Sequence, residues 1–154
     1  MGKRNQTCCF TGHRKITRNE LPALKQSLEN TMETLINQGV IFYGCGGAIG
    51  FDMLAGFTVL YFKKKYANIK LILVLPCRNQ DINWPQNDKN AFQKLLAAAD
   101  KVVFISENYY DGCMKKRNTH LVENSRFCIA YLKIHEKRHG TNNTHSQGTG
   151  FGYN

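Results

Sequence analysis

Four glycines lie within seven residues of this chain, at positions 44, 46, 47 and 50, in a stretch that ends at Asp52. The apolar residues 40–43 are predicted to form a strand before it, and a helical pattern follows it. Glycine density at a strand-to-helix turn indicates a sharp turn or a close approach to a ligand. The start of a helix also favours anions, because its first N–H groups are unpaired. The turn is therefore predicted to be the centre of a nucleotide-type site, with contacts from Gly46, Gly47, Ala48, Gly50 and Asp52.

Four further apolar runs, at residues 6–10, 71–75, 102–105 and 127–131, are predicted to be strands. Each is followed by residues that can hold a polar ligand. Because the carboxyl ends of parallel strands meet at one edge of a sheet, these residues are expected to converge on the glycine turn. The candidate contacts are Thr11, Gly12, His13, Arg14, Pro76, Cys77, Ser106, Arg117, Asn118, Gly148 and Thr149.

The side chains in this set suggest binding chemistry. Arg14 can hold a phosphate bidentately, although a solvated loop arginine would show the same pattern. Asp52 can contact a ligand hydroxyl or act only as a partner of the helix dipole. His13 fits a neutral hydrogen-bonding role better than that of a general base. An aromatic residue in a loop can stack on a base or simply pack, and the candidates are Trp84, Tyr109 and Tyr110.

No catalytic residue and no metal ligand is assigned from the sequence. Cys77 and Cys113 are candidate nucleophiles only if a histidine lies beside them. The spacing of the tail histidines matches no standard metal site. Asp52 is the only carboxylate near the glycine turn that could serve a hydrolytic reaction.

Strand and helix patterns alternate along the chain, which predicts parallel strands joined by right-handed crossovers. Between the first two strands, for example, Leu21, Leu24, Leu28 and Leu35 recur at helical spacing. We predict an α/β fold of the Rossmann-like type, a three-layer sandwich with a five-stranded, mainly parallel sheet in the order 3-2-1-4-5. Ligands of such sheets bind where the strand order reverses, which would be the gap between strands 1 and 4.

The length of 154 residues corresponds to a single domain, 1–154, with a polar tail from about residue 133. No apolar run approaches the roughly 20 residues that a membrane span requires. The first residues also lack the apolar stretch of a signal peptide. We therefore expect a cytoplasmic protein without a membrane partner, in which the six cysteines are reduced.

The net charge of +10 indicates an anionic partner, which can be a nucleotide, a nucleic acid or an acidic protein. A high charge can also serve solubility alone. The 21 basic residues are dispersed along the chain, which argues against a dedicated nucleic-acid groove.

Four motifs in register resemble the YpsA-like branch of the SLOG superfamily over residues 6 to 150. They are Cys-Phe-Thr-Gly-His-Arg at 9–14, Gly-Gly-Ala-Ile-Gly-Phe-Asp at 46–52, Leu-Pro-Cys-Arg-Asn-Gln at 75–80 and Gly-Cys-Met-Lys-Lys-Arg-Asn at 112–118. The resemblance implies a Rossmann-like domain that binds nucleotides or nucleotide-derived ligands at the glycine turn. Relatives of this kind include cytokinin-producing phosphoribohydrolases, the DNA-processing protein DprA and sensor domains in antiphage defence or counter-defence.

Two features depart from the family pattern. Phosphoribohydrolases carry a glutamate beside a Pro-Gly-Gly-x-Gly-Thr turn, whereas no glutamate lies in or next to residues 46–52. The late turn at 147–151 reads Gln-Gly-Thr-Gly-Phe, where YpsA-like chains have Gly-Gly-Thr before a final helix.

The first hypothesis is therefore non-catalytic binding, to sense or sequester a nucleotide-derived signal such as an ADP-ribose-like or cyclic nucleotide. No other cofactor is predicted. The alternatives are a nucleoside-monophosphate N-glycosidase and a protein that binds single-stranded nucleic acid. A homo-oligomer, either a dimer or a larger assembly, is also expected.

Overall fold

The computed structural model describes residues 2–132. The predicted contacts at Gly148 and Thr149, and the tail from about residue 133, lie outside the described residues. Within them, a short 3-10 helix at Lys3–Gln6 precedes five parallel strands that alternate with four helices. The α/β fold of the Rossmann-like, three-layer type is thereby confirmed.

The element bounds agree closely with the apolar runs in the sequence. The strands are β1 Thr7–Gly12, β2 Phe42–Cys45, β3 Lys70–Cys77, β4 Lys101–Ser106 and β5 Phe127–Tyr131. The helices are α1 Leu21–Asn37, α2 Phe51–Lys65, α3 Gln86–Ala98 and α4 Cys113–Glu123.

The predicted strand order 3-2-1-4-5 is wrong, because the sheet has the order β4-β3-β2-β1-β5. Strand β4 pairs with β3, where Leu73 lies opposite Val102, and strand β5 pairs with β1, where Cys9 lies opposite Cys128. The direction in which a right-handed crossover moves depends on the face of the sheet that its helix covers. The hydrophobic pattern of a helix does not reveal that face, so the order could not be deduced from local sequence.

Helices α1, α2 and α3 share one face of the sheet. Their buried side chains belong to the larger core cluster, and examples are Leu28 of α1, Val59 of α2 and Leu95 of α3. A smaller cluster on the other face includes Leu121 of α4 together with Cys9 and Val74. Strands β2, β3 and β4 are therefore added one after another beside β1, and the three helices that connect them lie on one side of the sheet. The chain then returns through α4 on the opposite side, so the order reverses between β1 and β5.

Candidate functional site

A cavity of about 170 Å³ opens at the carboxyl end of β1, between the start of α2 and the start of α4. Polar side chains make up much of its lining, and they are Thr11, Arg14, Asp52, Arg117 and Asn118. The lining is completed by Phe10, Gly12, Ala48 and Met114. Three segments that are far apart in sequence thus meet at one end of the sheet, close to the reversal of strand order.

Arg117 is the most buried cation of this site. Its side chain reaches from α4 to the glycine turn, where Nη1 donates to the Gly46 carbonyl at 2.7 Å. Its Nε donates to the Asn118 Oδ1 at 2.8 Å. Burial lowers the pKa of Arg117, while the nearby Asp52 carboxylate opposes that shift. An arginine keeps its proton under such conditions, so a fixed positive charge lies against the cavity.

Gly46 explains why the turn needs a residue without a side chain. A Cβ at this position would lie 2.7 Å from both the Arg117 Nη1 and the Asp52 Oδ2. The groups that approach the turn closely at Gly46 are therefore the side chains of Arg117 and Asp52, which belong to the protein itself. Gly46 itself contributes a carbonyl to Arg117 and does not line the cavity.

Asp52 lies in the first turn of α2 and is 9% exposed. Its Oδ2 accepts a hydrogen bond from the Ala48 N–H at 3.3 Å. Burial raises the pKa of Asp52 to about 6, against the lowering effects of Arg117, the Ala48 N–H and Arg14. The carboxylate is thus largely ionised at neutral pH but takes up a proton in mild acid.

Arg14 lies on the exposed rim of the cavity, where its Nη2 is 4.0 Å from the Met114 sulfur. Met114 and Phe10 line the cavity but were not among the predicted contacts. Met114 precedes Arg117 by three residues and Asn118 by four, so its helical spacing places it on the same face of α4. Phe10 gave no such signal, because it looked like an ordinary core residue of β1.

The loop after β1 is joined tightly to the start of α2. Gly50 has a φ of +94°, and a Cβ there would lie 2.3 Å from the Arg14 carbonyl oxygen. The Phe51 N–H donates to the His13 carbonyl at 3.0 Å. A Cβ on Gly12 would lie 2.5 Å from the Phe51 ring. These contacts fix residues 11–14 beside the helix start, and one of its N–H groups is used within the protein.

Several predicted contacts lie elsewhere. The His13 ring packs edge-on against Tyr131 at a centroid distance of 6.2 Å. The Gly47 carbonyl accepts a hydrogen bond from the Gln80 Nε2 at 3.3 Å. The Ser106 hydroxyl donates to the Asn108 carbonyl at 2.7 Å, at the end of edge strand β4. Because β4 is three strands away from β1, Ser106 is outside the cavity lining.

Pro76 and Cys77 are buried at the end of β3, and neither lines the cavity. Burial raises the pKa of Cys77, which argues against a nucleophilic thiolate there. The Trp84 ring packs edge-on against Phe92 at a centroid distance of 5.2 Å, so it serves the core. Tyr109 and Tyr110 are 61% and 42% exposed in the loop before α4.

Within residues 2–132, no group of three or more His, Cys, Asp or Glu side chains is arranged to hold a metal ion. None of the helices in this part of the chain is long and apolar enough to cross a membrane.

The sequence model of the YpsA family, described as the YspA SLOG family, matches residues 8–146. The chain therefore belongs to this family, as the four motifs predicted.

Curated relatives support the same assignment. The chain is 28% identical over 120 residues to the SPbeta prophage-derived protein YoqJ of Bacillus subtilis (strain 168), and the match covers 70% of each chain. It is 28% identical over 115 residues to the UPF0398 protein BH1768 of Halalkalibacterium halodurans, which covers 73% of this chain and 58% of that relative. The UPF0398 protein ABC2016 of Shouchella clausii is 31% identical over 103 residues, or 65% of this chain and 55% of its own. The chain thus spans little more than half the length of these UPF0398 relatives.

Among solved structures, DNA processing protein A from Helicobacter pylori matches with a TM-score of 0.58 and 21% identity. The match covers 84% of this chain and 54% of that chain. That structure concerns the single-stranded DNA binding mode of the Helicobacter pylori protein. At this level of identity the likeness supports the fold alone.

Gly50→Ala should destabilise the protein by about 2 to 4 kcal/mol, because it adds backbone strain and a clash with the Arg14 carbonyl. Gly39→Ala is the matched control. Gly39 has the same φ of +94°, but nothing lies within 4 Å of its added Cβ. Urea denaturation should therefore show a larger loss for Gly50→Ala than for Gly39→Ala. Equal losses of stability in the two variants would show that the close contact between Gly50 and the loop after β1 contributes nothing to stability.

The raised pKa of Asp52 makes stability depend on pH. Since its folded-state pKa of about 6 exceeds the usual aspartate pKa of 3.8, folding is accompanied by proton uptake between these pH values. The free energy of unfolding should therefore gain about 2 kcal/mol from this group as the pH falls from about 7 to about 4.5. It should lose the same amount as the pH rises.

The measurement compares urea denaturation of the wild type and Asp52→Asn at both pH values. The difference in free energy of unfolding between the wild type and Asp52→Asn should change by about 2 kcal/mol between the two pH values. The exposed Asp111→Asn variant should instead follow the wild type. Parallel pH profiles for the wild type and Asp52→Asn would contradict the assignment.

Proposed function

We propose that the chain binds a nucleotide or nucleotide-derived ligand, with a phosphate group in the cavity between Arg14 and Arg117. The observation that carries the proposal is the convergence of two arginines on one cavity, one of them only 4% exposed. Guanidinium groups bind phosphate oxygens through paired, charge-assisted hydrogen bonds. Nη1 and Nε of Arg117 are held by protein acceptors, so its guanidinium has a fixed position against the cavity that it lines.

The size of the cavity limits which part of a ligand it can hold. Pockets for whole ligands usually measure about 300 to 1,000 Å³. A volume of about 170 Å³ suits a phosphate with part of a sugar, and a base would extend toward the rim. Thr11 and Asn118 supply neutral hydrogen-bonding groups for the sugar or the phosphate.

The carboxylate chemistry favours binding over cleavage. Asp52 is the only acidic residue among those that line the cavity. It accepts the Ala48 N–H and balances the charge of Arg117, so it has a structural task already. We therefore favour sensing or sequestering of the ligand. Release of adenine from AMP by the wild type, abolished in Asp52→Asn, would favour the N-glycosidase hypothesis instead.

Arg14→Gln should weaken the binding of ADP-ribose about 10- to 100-fold in isothermal titration calorimetry, because one charged hydrogen-bonding partner is lost. ADP-ribose suits the experiment because it carries phosphate groups of the kind that guanidinium groups bind through charge-assisted hydrogen bonds. Arg18→Gln removes the same charge from an exposed residue of the same loop outside the lining, and it should bind like the wild type.

Two results would contradict the proposal. One is the absence of binding heat with ADP-ribose, NAD and cyclic dinucleotides. The other is an equal loss of affinity in Arg14→Gln and Arg18→Gln, which would indicate only a general effect of net charge.

Single-stranded nucleic acid is the second candidate ligand. The DNA processing protein A neighbour is described for binding single-stranded DNA, and the present chain carries a net charge of +10. The specific observation is that Tyr109 and Tyr110 are exposed just before α4, whose first turns carry the exposed Lys115 and Lys116. Exposed aromatics beside cations form stacking platforms for unpaired bases.

For this second function, Tyr110→Ala should weaken the binding of a ten-residue oligothymidylate by about tenfold or more, which corresponds to the loss of one stacked base. Fluorescence anisotropy at several salt concentrations measures the affinity, which should fall steeply with salt. Tyr61→Ala is the control, since Tyr61 is also exposed but lies on α2. Binding that is independent of salt, or equal in both variants, would exclude this function.

The predicted homo-oligomer stays a prediction that light scattering can test.

A further inference from the structure

The second face of the sheet carries a larger cavity, of about 500 Å³, which shares no lining residue with the candidate nucleotide site. It lies at the amino ends of the strands, where Lys70 begins β3 and Lys101 begins β4. Parallel sheets are normally covered on both faces. Among the described residues, three helices cover one face, whereas the other face has only α4.

The floor of this cavity is apolar. Five side chains form it, and they are Phe42, Ile72, Val74, Val103 and Leu121. Phe42, Ile72 and Val103 are only half-buried, although Phe42 and Ile72 belong to the inner strands β2 and β3. Binding of a molecule with an apolar surface over these side chains would therefore be favourable, because it would remove apolar area from water.

The rim of the cavity is positively charged. Four cations line it, namely Lys3, Arg4, Lys70 and Lys101, and all four are exposed. The one carboxylate in the lining, Asp100, pairs with Lys63 and accepts the Leu71 N–H at 2.8 Å. The rim thus keeps an excess of positive charge and complements an anion.

A buried hydroxyl with no hydrogen bond of good geometry also lines this cavity. Ser125 is 7% exposed, and its Oγ has no such partner among the described residues, although it lies close enough to the Cys9 thiol to lower the pKa of that thiol. A buried hydroxyl that lacks a good hydrogen bond carries an uncompensated desolvation cost. A ligand with a polar atom at this point would remove that cost, whereas the apolar stripe of a docked helix would not.

We propose that this cavity is a second binding site, for a small amphiphilic anion. The apolar body of the ligand lies on the sheet, its anionic group meets the cationic rim, and one of its oxygens accepts a hydrogen bond from Ser125. Another copy of this chain is a poor occupant, because each copy carries a net charge of +10.

The probe for this site is 1-anilinonaphthalene-8-sulfonate, an aromatic anion whose fluorescence rises in apolar surroundings. Titration of the full chain should show saturable binding at one site. The neutral analogue N-phenyl-1-naphthylamine lacks the sulfonate, so it should bind about tenfold more weakly or worse. Saturating ADP-ribose should leave the signal unchanged, because the two cavities are separate.

Variants then locate the probe. Lys70→Glu with Lys101→Glu should weaken binding of the sulfonate by about tenfold or more, because attractive charges become repulsive. Lys64→Glu with Lys94→Glu makes the same change in net charge on exposed residues of α2 and α3, and it should bind like the unaltered protein. Ser125→Ala should weaken binding of the sulfonate but not of the neutral analogue.

The proposal is overturned by any of three results. The first is the absence of saturable binding, and the second is equal binding of the charged and neutral probes. The third is an equal effect of the two double variants. Because Lys70 and Lys101 are exposed, their variants are expected to fold, and unchanged thermal unfolding checks this directly.

Discussion

The contact between the Arg117 guanidinium and the Gly46 carbonyl holds the candidate site together. It joins residues 71 positions apart and connects the start of α4, on one face of the sheet, to the turn that begins α2 on the other. A buried arginine is tolerated only when its donors and its charge are satisfied. The Gly46 carbonyl, Asn118 and Asp52 meet that requirement together, and each of them therefore has a fixed place.

The same requirement explains the electrostatic character of the cavity. Asp52 must be close enough to balance Arg117, yet its burial raises its pKa to about 6. The pair is thus a compromise in which neither charge is well solvated. An anionic ligand would bring negative charge to Arg14 and Arg117 but would also approach Asp52. Protonation of Asp52 in mild acid would remove that repulsion, so we expect ligand affinity and proton uptake to be coupled at this site.

Positive charge is distributed over both ends of the sheet. At the carboxyl ends it is concentrated in two arginines around a small polar cavity, which suits a phosphate. At the amino ends, four cations surround an apolar floor that only α4 partly covers among the described residues. A net charge of +10 taken alone does not distinguish these two arrangements, because it contains no information about which apolar surfaces lie beside the charges.

The sequence by itself determined the elements of this protein and the region of its site. The strand and helix bounds follow from local hydrophobic patterns, and Thr11, Gly12, Arg14, Ala48, Asp52, Arg117 and Asn118 were all named before they were found to line one cavity. Only the tertiary structure decided the strand order, the exclusion of Ser106 from the lining and the use of Gly46 by Arg117. The physical reason is that each of these depends on which face a crossover helix covers and on contacts between distant residues. Neither of these can be deduced from the spacing of neighbouring side chains in the sequence.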